Sequence, residues 1–240
     1  MEFRDVLHQR RSIRAFEATP VPPALVDEVL AEALVSPSWS NTQPYKVAVV
    51  SGAEVETLRQ EFRERFQRLA ALQRAPVWKK ALAAVKGGAL PDGDFRPVLR
   101  YPEDLQPRRV ATGLGLYKLL GIGREDRAAR EEQMARNFIF FDAPVVMFVF
   151  AHKGLGVYSA LDAGIFLQSL MLSATDRGLG TCAQGALALW RSPIAQRFEI
   201  PAPYQLLCGV SLGYPADAPV NRFRPDRQSL DELRLPPRAR

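Results

Sequence analysis

Cysteine and histidine are scarce in this 240-residue chain, and their scarcity excludes several kinds of chemistry. Cys182 and Cys208 are the only cysteines, too few for a disulfide framework or a cysteine zinc site. His8 and His152 are the only histidines, so a histidine metal cluster and a histidine-driven hydrolase are both poorly supported. We therefore expect no metal site and no catalytic residue of these types.

Long apolar segments are also missing. No run reaches the roughly 18 apolar residues that indicate a membrane span, and the opening MEFRDVLHQRR lacks the apolar region of a secretory signal. The hydrophobic content of 47% and charged content of 24% are ordinary for a soluble globular protein. These features predict a reduced, cytoplasmic protein with no membrane partner.

The net charge of +6 is mildly basic and suits an anionic ligand such as a phosphate. A nucleic-acid surface would cluster its basic residues in a stripe with interleaved aromatic residues, whereas here they are scattered among acidic ones. Only the pI of about 9.6 argues for nucleic acid, and we predict no such partner.

The stretch from Ser159 to Gly180 is the most distinctive part of the chain. Its apolar residues cover nearly every direction around a helix: Leu161, Ile165, Phe166, Leu167, Leu170, Met171, Leu172 and Ala174. Such a helix is buried in a core or against another subunit. Arg177-Gly178 favours its end, with the glycine in a left-handed C-cap. A dimer covers a helix like this more easily than one chain, so we predict the central helix of a two-subunit core.

The motif RRSIR, residues 10–14, does not continue the helical spacing of the apolar residues before it. If it is extended, Arg10, Ser12 and Arg14 point one way while Ile13 faces the core. Two guanidinium groups and a hydroxyl are suitable donors for a phosphate. Taken alone, the motif is more simply a solvated basic surface.

The loop PSWSNTQPY follows a helix that is expected to open at Pro22-Pro23 and to end at Pro37. It packs neutral donors and acceptors between two prolines, namely Ser38, Ser40, Asn41 and Gln43. Ordinary loop chemistry explains this composition. The alternative is that a scaffold holds the loop in place to read the edge of a heteroaromatic ring.

Asn137, at the margin of the aromatic segment RNFIFF, also has both a structural and a ligand-binding interpretation. A buried amide there must find hydrogen-bond partners, either as a backbone cap or from a ligand ring.

The remaining pattern predicts one α+β domain over residues 1–240. Helices are expected at 2–10, 54–75, within ATGLGLYKLLGI and at 124–136, and strands at 47–50, at 145–150 and in LLCGVSLGY. The Gly- and Pro-rich segment 86–107 is expected to be a long irregular loop that acts as a lid or binding element. The GxG of ATGLGLYKLLGI lacks a preceding strand and a full Rossmann fingerprint, so a dinucleotide fold is rejected.

Five blocks, taken in order, resemble the FMN-dependent nitroreductase family: RRSIR, PSWSNTQPY, RNFIFFDAP, RGLGTCAQG and CGVSLGYPADAPVNRFRPDR. They span essentially the whole chain. The likeness is greatest to the branch with a long insertion before an RNFxFF-type segment and a VNRFR-type tail. The resemblance implies an α/β/α sandwich around a central mixed, mostly antiparallel sheet. It also implies an intertwined homodimer across the central helix, with an insertion around 76–130 covering the substrate pocket.

The resemblance further implies one FMN at each of two sites built from both subunits. The phosphate and ribityl contacts are matched by Arg10, Arg11, Ser12 and Arg14, and the tail residues that close on the phosphate by Arg222 and Arg224. The loop that the other subunit lays beside the flavin is matched by Pro37, Ser38, Ser40, Asn41 and Gln43. Asn137 matches the asparagine at the polar edge of the ring. The turn whose backbone lies near flavin N5 is matched by Ala183, Gln184 and Gly185, with Ala183 replacing the proline usual in this branch.

The implied activity is NAD(P)H-dependent oxidoreduction. Hydride passes from NAD(P)H to flavin N5, and a nitroaromatic or quinone is then reduced in two-electron steps by ping-pong turnover. Because the flavin carries the chemistry, no catalytic side chain is required. Relatives on the same scaffold leave flavin reduction, enone reduction, reductive dehalogenation and flavin destruction open. A flavin-binding protein without turnover is an alternative of another class.

Overall fold

The computed structural model describes residues 1–76, 90–98 and 100–238 of the chain. Its strands are β1 (Tyr45–Ser51), β2 (Val145–His152), β3 (Gly180–Gln184) and β4 (Tyr204–Gly213). Its longer helices are α1 (Phe3–Gln9), α2 (Pro23–Ala33), α3 (Ala53–Arg74), α4 (Gln106–Leu119), α5 (Arg127–Ala135) and α6 (Val157–Asp176). Two short helices are α7 (Ser192–Ala195) and α8 (Leu230–Leu233). Five 3₁₀ turns lie between these elements, at Trp39–Asn41, Arg136–Asp142, Lys153–Leu155, Gly185–Leu189 and Pro219–Arg222.

The four strands form one sheet in the order β1-β2-β4-β3. β2 is buried at every position except its last, which accounts for its unbroken apolar sequence. Its side chains alternate between two cores: Met147 packs with Phe166 of α6, while Phe148 packs with Phe62 of α3 and with Trp190. The sheet therefore separates two helical layers, and the expected α/β/α sandwich is confirmed.

All three strand pairings are antiparallel. Within the described residues, parallel pairing is limited to a single bridge between Ser12 and Thr181. The expected mixed character of the sheet is thus reduced to this one contact. This bridge fixes the position of the N-terminal segment, because it attaches the segment to the edge strand β3.

The central helix α6 begins at Val157 and ends at Asp176, and Gly178 just beyond it has the predicted left-handed conformation, with φ +72°. Within the described residues, α6 is long and apolar enough to cross a membrane, with a mean hydropathy of 1.3. The core helix of a soluble protein has the same properties. Only 39% of that apolar window is buried inside the chain, so much of α6 is left uncovered by its own fold.

Most other elements lie where the sequence predicts them, with one correction. Ala183 and Gln184, expected in a turn, belong to strand β3, where they pair with Val210 and Gly209 of β4; Gly185 begins the 3₁₀ turn that follows. The described part of the loop at 86–107 is irregular until α4 begins at Gln106. Residues 86–89 and 99 of that loop, and 77–89 of the expected insertion, lie outside the described residues. The single domain and the covering role of the insertion stay predictions.

Candidate functional site

Both ends of the chain meet at one basic cavity of about 330 Å³, which we call the arginine cavity. The N-terminal segment contributes Arg10, Arg11, Ser12 and Arg14, and the C-terminal tail contributes Arg224 and Arg227; Leu7, His8, Phe223 and Pro225 complete the lining. The residues of RRSIR and one of the two predicted tail arginines are therefore brought together, although they are more than 200 positions apart.

No aspartate or glutamate is among the described residues that line this cavity. Its guanidinium groups bond main-chain oxygens instead: Arg11 Nε donates to Asn221 O at 2.6 Å and Arg224 Nη1 to His8 O at 2.5 Å. Burial, followed by repulsion from Arg227 and Arg224, lowers the pKa of Arg10. Cations that are partly desolvated and repel one another favour an anion between them, and a phosphate meets that need.

The N-terminal wall of the cavity is extended and anchored to β3. Ile13 N donates to Thr181 O at 2.9 Å, and Ile13 is buried as predicted, at 3% exposure. A Cβ on Gly180 would lie 2.5 Å from Ile13 Cγ1, so only glycine allows this close approach. Because Ile13 points inward, the alternation of an extended segment leaves Ser12 and Arg14 to line the cavity.

Asn221 holds the two walls together. Its Oδ1 accepts from the backbone N–H of Arg14 at 2.7 Å and of Ala15 at 3.2 Å, and its Nδ2 donates to Ala15 O at 2.7 Å and to Ala216 O at 2.9 Å. The side chain is 3% exposed, so these bonds are buried. Asn221 therefore fixes the tail against the segment that carries Arg14. Sequence reasoning missed it because its partners are distant in the chain.

A second cluster of site residues surrounds the end of β3. Ala183 and Gly185 are exposed, while Gln184 between them is buried, as strand alternation requires. Gln184 Nε2 donates to Asn137 O at 2.9 Å, and Ser211 Oγ donates to Gln184 Oε1 at 2.5 Å. The structure thus brings the predicted residues Asn137 and Gln184 into contact. Ala183 and Gly185 are exposed beside them.

Asn137 lies in a backbone turn of unusual geometry. Phe140, Phe141 and Asp142, which follow it, all have positive φ, of 58°, 54° and 65°. Bulky residues rarely adopt this region, and each such residue costs about 1–3 kcal/mol. Arg59 of α3 stabilises the turn by donating to Ile139 O at 3.1 Å and to Ala143 O at 2.9 Å. Strain held in place by a partly buried arginine is typical of a functional site.

The polar loop from Pro37 to Gln43 lies apart from these clusters, and none of its residues lines the arginine cavity. Ser40, Asn41 and Gln43 are exposed and have positive φ. The loop is nevertheless ordered by internal bonds, because Gln43 N donates to Ser38 Oγ at 2.9 Å and Gln43 Nε2 to Asn41 Oδ1 at 3.0 Å. Ser38 is half-buried and Pro37 exposed.

Asp162 of α6 supports this loop from behind. The carboxylate is 3% exposed and accepts from the backbone N–H of Trp39 at 3.2 and 3.1 Å. Nearby, the hydroxyl of Tyr45 is buried without a hydrogen-bond partner among the described residues, and burial, reinforced by the charge of Asp162, raises its pKa. Sequence reasoning treated Asp162 only as an interruption of an apolar helix.

A patch of exposed apolar side chains lies next to the loop, and we call it the bare face. Trp39 packs against Tyr158 with ring centroids 4.2 Å apart and the ring planes tilted by 43°, and both residues are about half exposed. Val157 and Leu161 of the same helix are 74% and 56% exposed. Large apolar residues grouped in this way mark an interaction surface.

Arg222 and Arg227 differ from the sequence expectation in their placement. Arg222 pairs with Asp217 at 2.8 Å, is largely exposed and does not line the arginine cavity. Arg227, which was not among the predicted site residues, does line it. The signal for Arg227 was its place beside Arg224 on extended, proline-rich backbone, where residues a few positions apart reach the same side.

The two cysteines take no part in the surface of the site. Burial raises the pKa of Cys182, despite its proximity to Arg14, and raises that of Cys208 to about 12. Both therefore stay protonated at neutral pH and act as small apolar residues.

Comparison with known proteins gives a consistent result. Residues 7–214 match the family model described as the nitroreductase family. The chain is 34% identical over 232 residues to a 4-nitrobenzoate reductase of Pseudomonas putida, covering 95% of this chain and 92% of that protein. It is 31% identical to the FMN-dependent nitroreductase NfnB of Mycobacterium smegmatis, solved in complex with NADPH, with a TM-score of 0.79 and coverage of 98% and 97%. The FMN- and NADPH-dependent NfnB of sphigopyxis sp. strain HMH is 30% identical over the full length of both chains, with a TM-score of 0.79.

Proposed function

The chain belongs to the nitroreductase family, and from this premise we propose that it is an FMN-dependent oxidoreductase that uses NAD(P)H to reduce nitroaromatic compounds. The observation that carries the proposal is the arginine cavity, with five arginines, one serine and no carboxylate among its described lining residues. This donor set fits the phosphate of a mononucleotide.

When bound, FMN supplies the redox chemistry, accepting hydride at N5 from NAD(P)H and delivering electrons to the acceptor in two-electron steps. This chain's residues bind and orient. Arg10, Arg14 and Arg224 neutralise the phosphate, and Ser12 offers it a neutral donor. Asn137 would offer an amide to the polar edge of the ring, and the exposed Ala183 and Gly185 would present backbone groups to N5. Arg11 bonds Asn221 O and so supports the cavity from its side.

The second half of the proposal is a homodimer across α6. The bare face supports it, because a second copy would cover Trp39, Tyr158 and Leu161 and bring a polar loop with it. The exposed Ser40, Asn41 and Gln43, preformed by internal bonds, would then face the flavin of the other copy, with Pro37 and Ser38 at the base of the loop. Arg222 remains in the proposal as a residue that this pairing could bring to a phosphate. A reduced, cytoplasmic location accords with two free cysteines, of which Cys182 is buried and Cys208 partly buried.

The test begins with the absorbance spectrum of the purified protein, loaded with FMN if it is isolated colourless. Anaerobic stopped-flow mixing with NADPH, and separately with NADH, should bleach the flavin, and 4-nitrobenzoate or nitrobenzene should then restore its colour. Bleaching without nitroaromatic reoxidation would leave quinone, enone or flavin reduction as the activity. A protein that binds FMN but stays oxidised with both donors would be a flavin-binding protein without turnover, and the reductase proposal would fail.

A further inference from the structure

Gln184 has a buried side chain with a defined hydrogen-bond partner at each end. It is 4% exposed, and Ser211, its partner on the neighbouring strand β4, is fully buried. Ser211 Oγ lies 2.5 Å from Gln184 Oε1, and Gln184 Nε2 lies 2.9 Å from Asn137 O and 3.4 Å from Asn137 Oδ1. The three residues form a hydrogen-bonded chain, which we call the relay, from Ser211 in the sheet to the Asn137 amide that we assign to the flavin edge.

Hydrogen-bond chemistry leaves one orientation for the relay. A main-chain carbonyl only accepts, so the Gln184 amide must turn its NH₂ toward Asn137 O. Its Oε1 then faces Ser211, whose hydroxyl must donate. The same NH₂ reaches toward Asn137 Oδ1, while Asn137 Nδ2 donates to Met134 O at 3.2 Å. Both ends of the Asn137 amide are thereby assigned.

Asn137 Nδ2 also lies 4.0 Å from Met134 Sδ, which is only a weak acceptor. The assignment therefore leaves Asn137 one N–H without a strong acceptor and one free lone pair on Oδ1. A flavin ring edge presents carbonyl acceptors and an N–H donor, so a side-chain amide matches it in one orientation and opposes it in the other. The Asn137 side chain is only partly buried, so without Gln184 its amide would be held by Met134 alone and would be freer to turn.

We propose that the side chain of Gln184 is a positioning group of the flavin site, which acts by fixing the orientation of Asn137 and does not itself touch the cofactor. The inference rests on the proposed function and goes beyond it, because Gln184 was expected only to present its backbone. The geometry gives its side chain a separate role, with Ser211 as the anchor.

The experiment is a double-mutant cycle with Gln184→Met, which keeps the length of the side chain and removes both bonds, and Asn137→Ala. The measured quantities are the FMN dissociation constant and the reduction potential of the bound flavin, titrated with dithionite so that turnover is not needed. Gln184→Met should weaken FMN binding about tenfold, as expected for a lost buried hydrogen bond, and should shift the potential. In the Asn137→Ala background it should have little further effect.

Two results would overturn the inference: unchanged FMN affinity and potential in Gln184→Met, or effects of the two substitutions that simply add. If Gln184→Met does not fold, Ser211→Ala replaces it in the cycle, with a smaller shift expected and the same criterion of non-additivity. Gln60→Met on the exposed face of α3 controls for the substitution itself. Wild-type protein that fails to bind FMN would refute the proposed function, whereas yellow wild-type protein with an unaltered Gln184→Met variant would refute this inference alone.

Discussion

The arginine cavity and the bare face differ in how much of each is complete within one chain. The cavity has both walls from the same polypeptide, and Asn221 joins them by buried bonds. The bare face has only one side: its aromatic pair is half exposed, and the polar loop above it is ordered yet contacts no described residue of the cavity. We infer that the electrostatic half of the site forms when the monomer folds, while the other half requires a second copy.

The free energy that the bare face can contribute to association supports this inference. Fully burying an exposed large apolar side chain contributes roughly 1.5–3 kcal/mol. The four residues of the bare face are already partly buried, but a symmetric dimer covers them in both copies, so together they supply roughly 6–12 kcal/mol against an association cost of some 4–15 kcal/mol. A stable dimer therefore needs further area. Other exposed apolar residues are available for it, among them Phe3 of α1 and Leu34 and Val35 at the end of α2. The arginine cavity has no such requirement, because its bonds are already made.

The largest effect is expected from a charge placed on the bare face, which tests whether this face is the dimer interface. Leu161→Asp would bury an unpaired carboxylate in the dimer, at a cost of about 3–5 kcal/mol, so the dimer should weaken by a factor of about 100 or more. Sedimentation or light scattering should show a monomer that has also lost FMN. Leu114→Asp on α4 is the matched control, since Leu114 is 54% exposed and lies outside the bare face. An unchanged dimer in Leu161→Asp would place the interface elsewhere.

The next largest effect should come from opening the cavity without touching the bare face. Asn221→Ala leaves the N–H groups of Arg14 and Ala15 unsatisfied, at about 1–3 kcal/mol each, so the melting temperature should fall and FMN affinity should drop by about 10- to 100-fold. Asn221→Asp keeps the acceptor and loses both donated bonds, and should show a similar defect. Fluorescence titration of FMN measures the affinity. Normal affinity in a less stable variant would show that Asn221 supports the fold and not the cavity.

Features that depend on neighbours close in the sequence could be predicted from it, whereas features that depend on distant contacts could not. The apolar surface of α6, the inward Ile13 and the left-handed Gly178 were predictable because each depends on neighbours within a few positions. Asn221 was not, since its partners Arg14 and Ala15 on the other wall lie more than 200 positions away and an asparagine in a tail has no pattern of its own. Ala183 and Gln184 were expected in a turn because their pairing with Val210 and Gly209 of β4 likewise leaves no signal in the local composition.

Removing a single charge from the cavity should weaken FMN binding about as much as Asn221→Ala, but without the accompanying fall in melting temperature. Arg14→Ala removes one charge-assisted contact to the phosphate and should weaken FMN binding by about 1.5–3 kcal/mol, with a shallower dependence on salt. Arg222→Ala is the comparison variant, because Arg222 pairs with Asp217 outside the cavity. Equal losses in the two variants would mean that a second copy brings Arg222 to the phosphate. No loss in Arg14→Ala would mean that the phosphate binds elsewhere.

The smallest expected effect belongs to an ion pair that serves neither region. Arg177, just beyond α6, donates to Glu32 of α2 at 2.5 and 2.7 Å, and Ser173 Oγ donates to the same carboxylate at 2.7 Å. Bonding to Arg177, followed by that to Ser173, lowers the pKa of Glu32. Because the folded pKa lies below the unfolded one, the stabilisation is present above the unfolded pKa and is lost as the pH falls through the folded pKa.

Glu32→Gln should therefore lower stability at neutral pH by only about 0.2–1 kcal/mol, the usual worth of an exposed pair, and should match the wild type once Glu32 is protonated. Thermal unfolding of both proteins from neutral to acidic pH measures the difference. FMN affinity and dimer mass should not change, which would show that losses in the other variants come from the cavity and the bare face. A stability difference that persists in acid would mean that the substituted side chain disturbs packing between α2 and α6, since a lost ion pair cannot act where its carboxylate is already neutral.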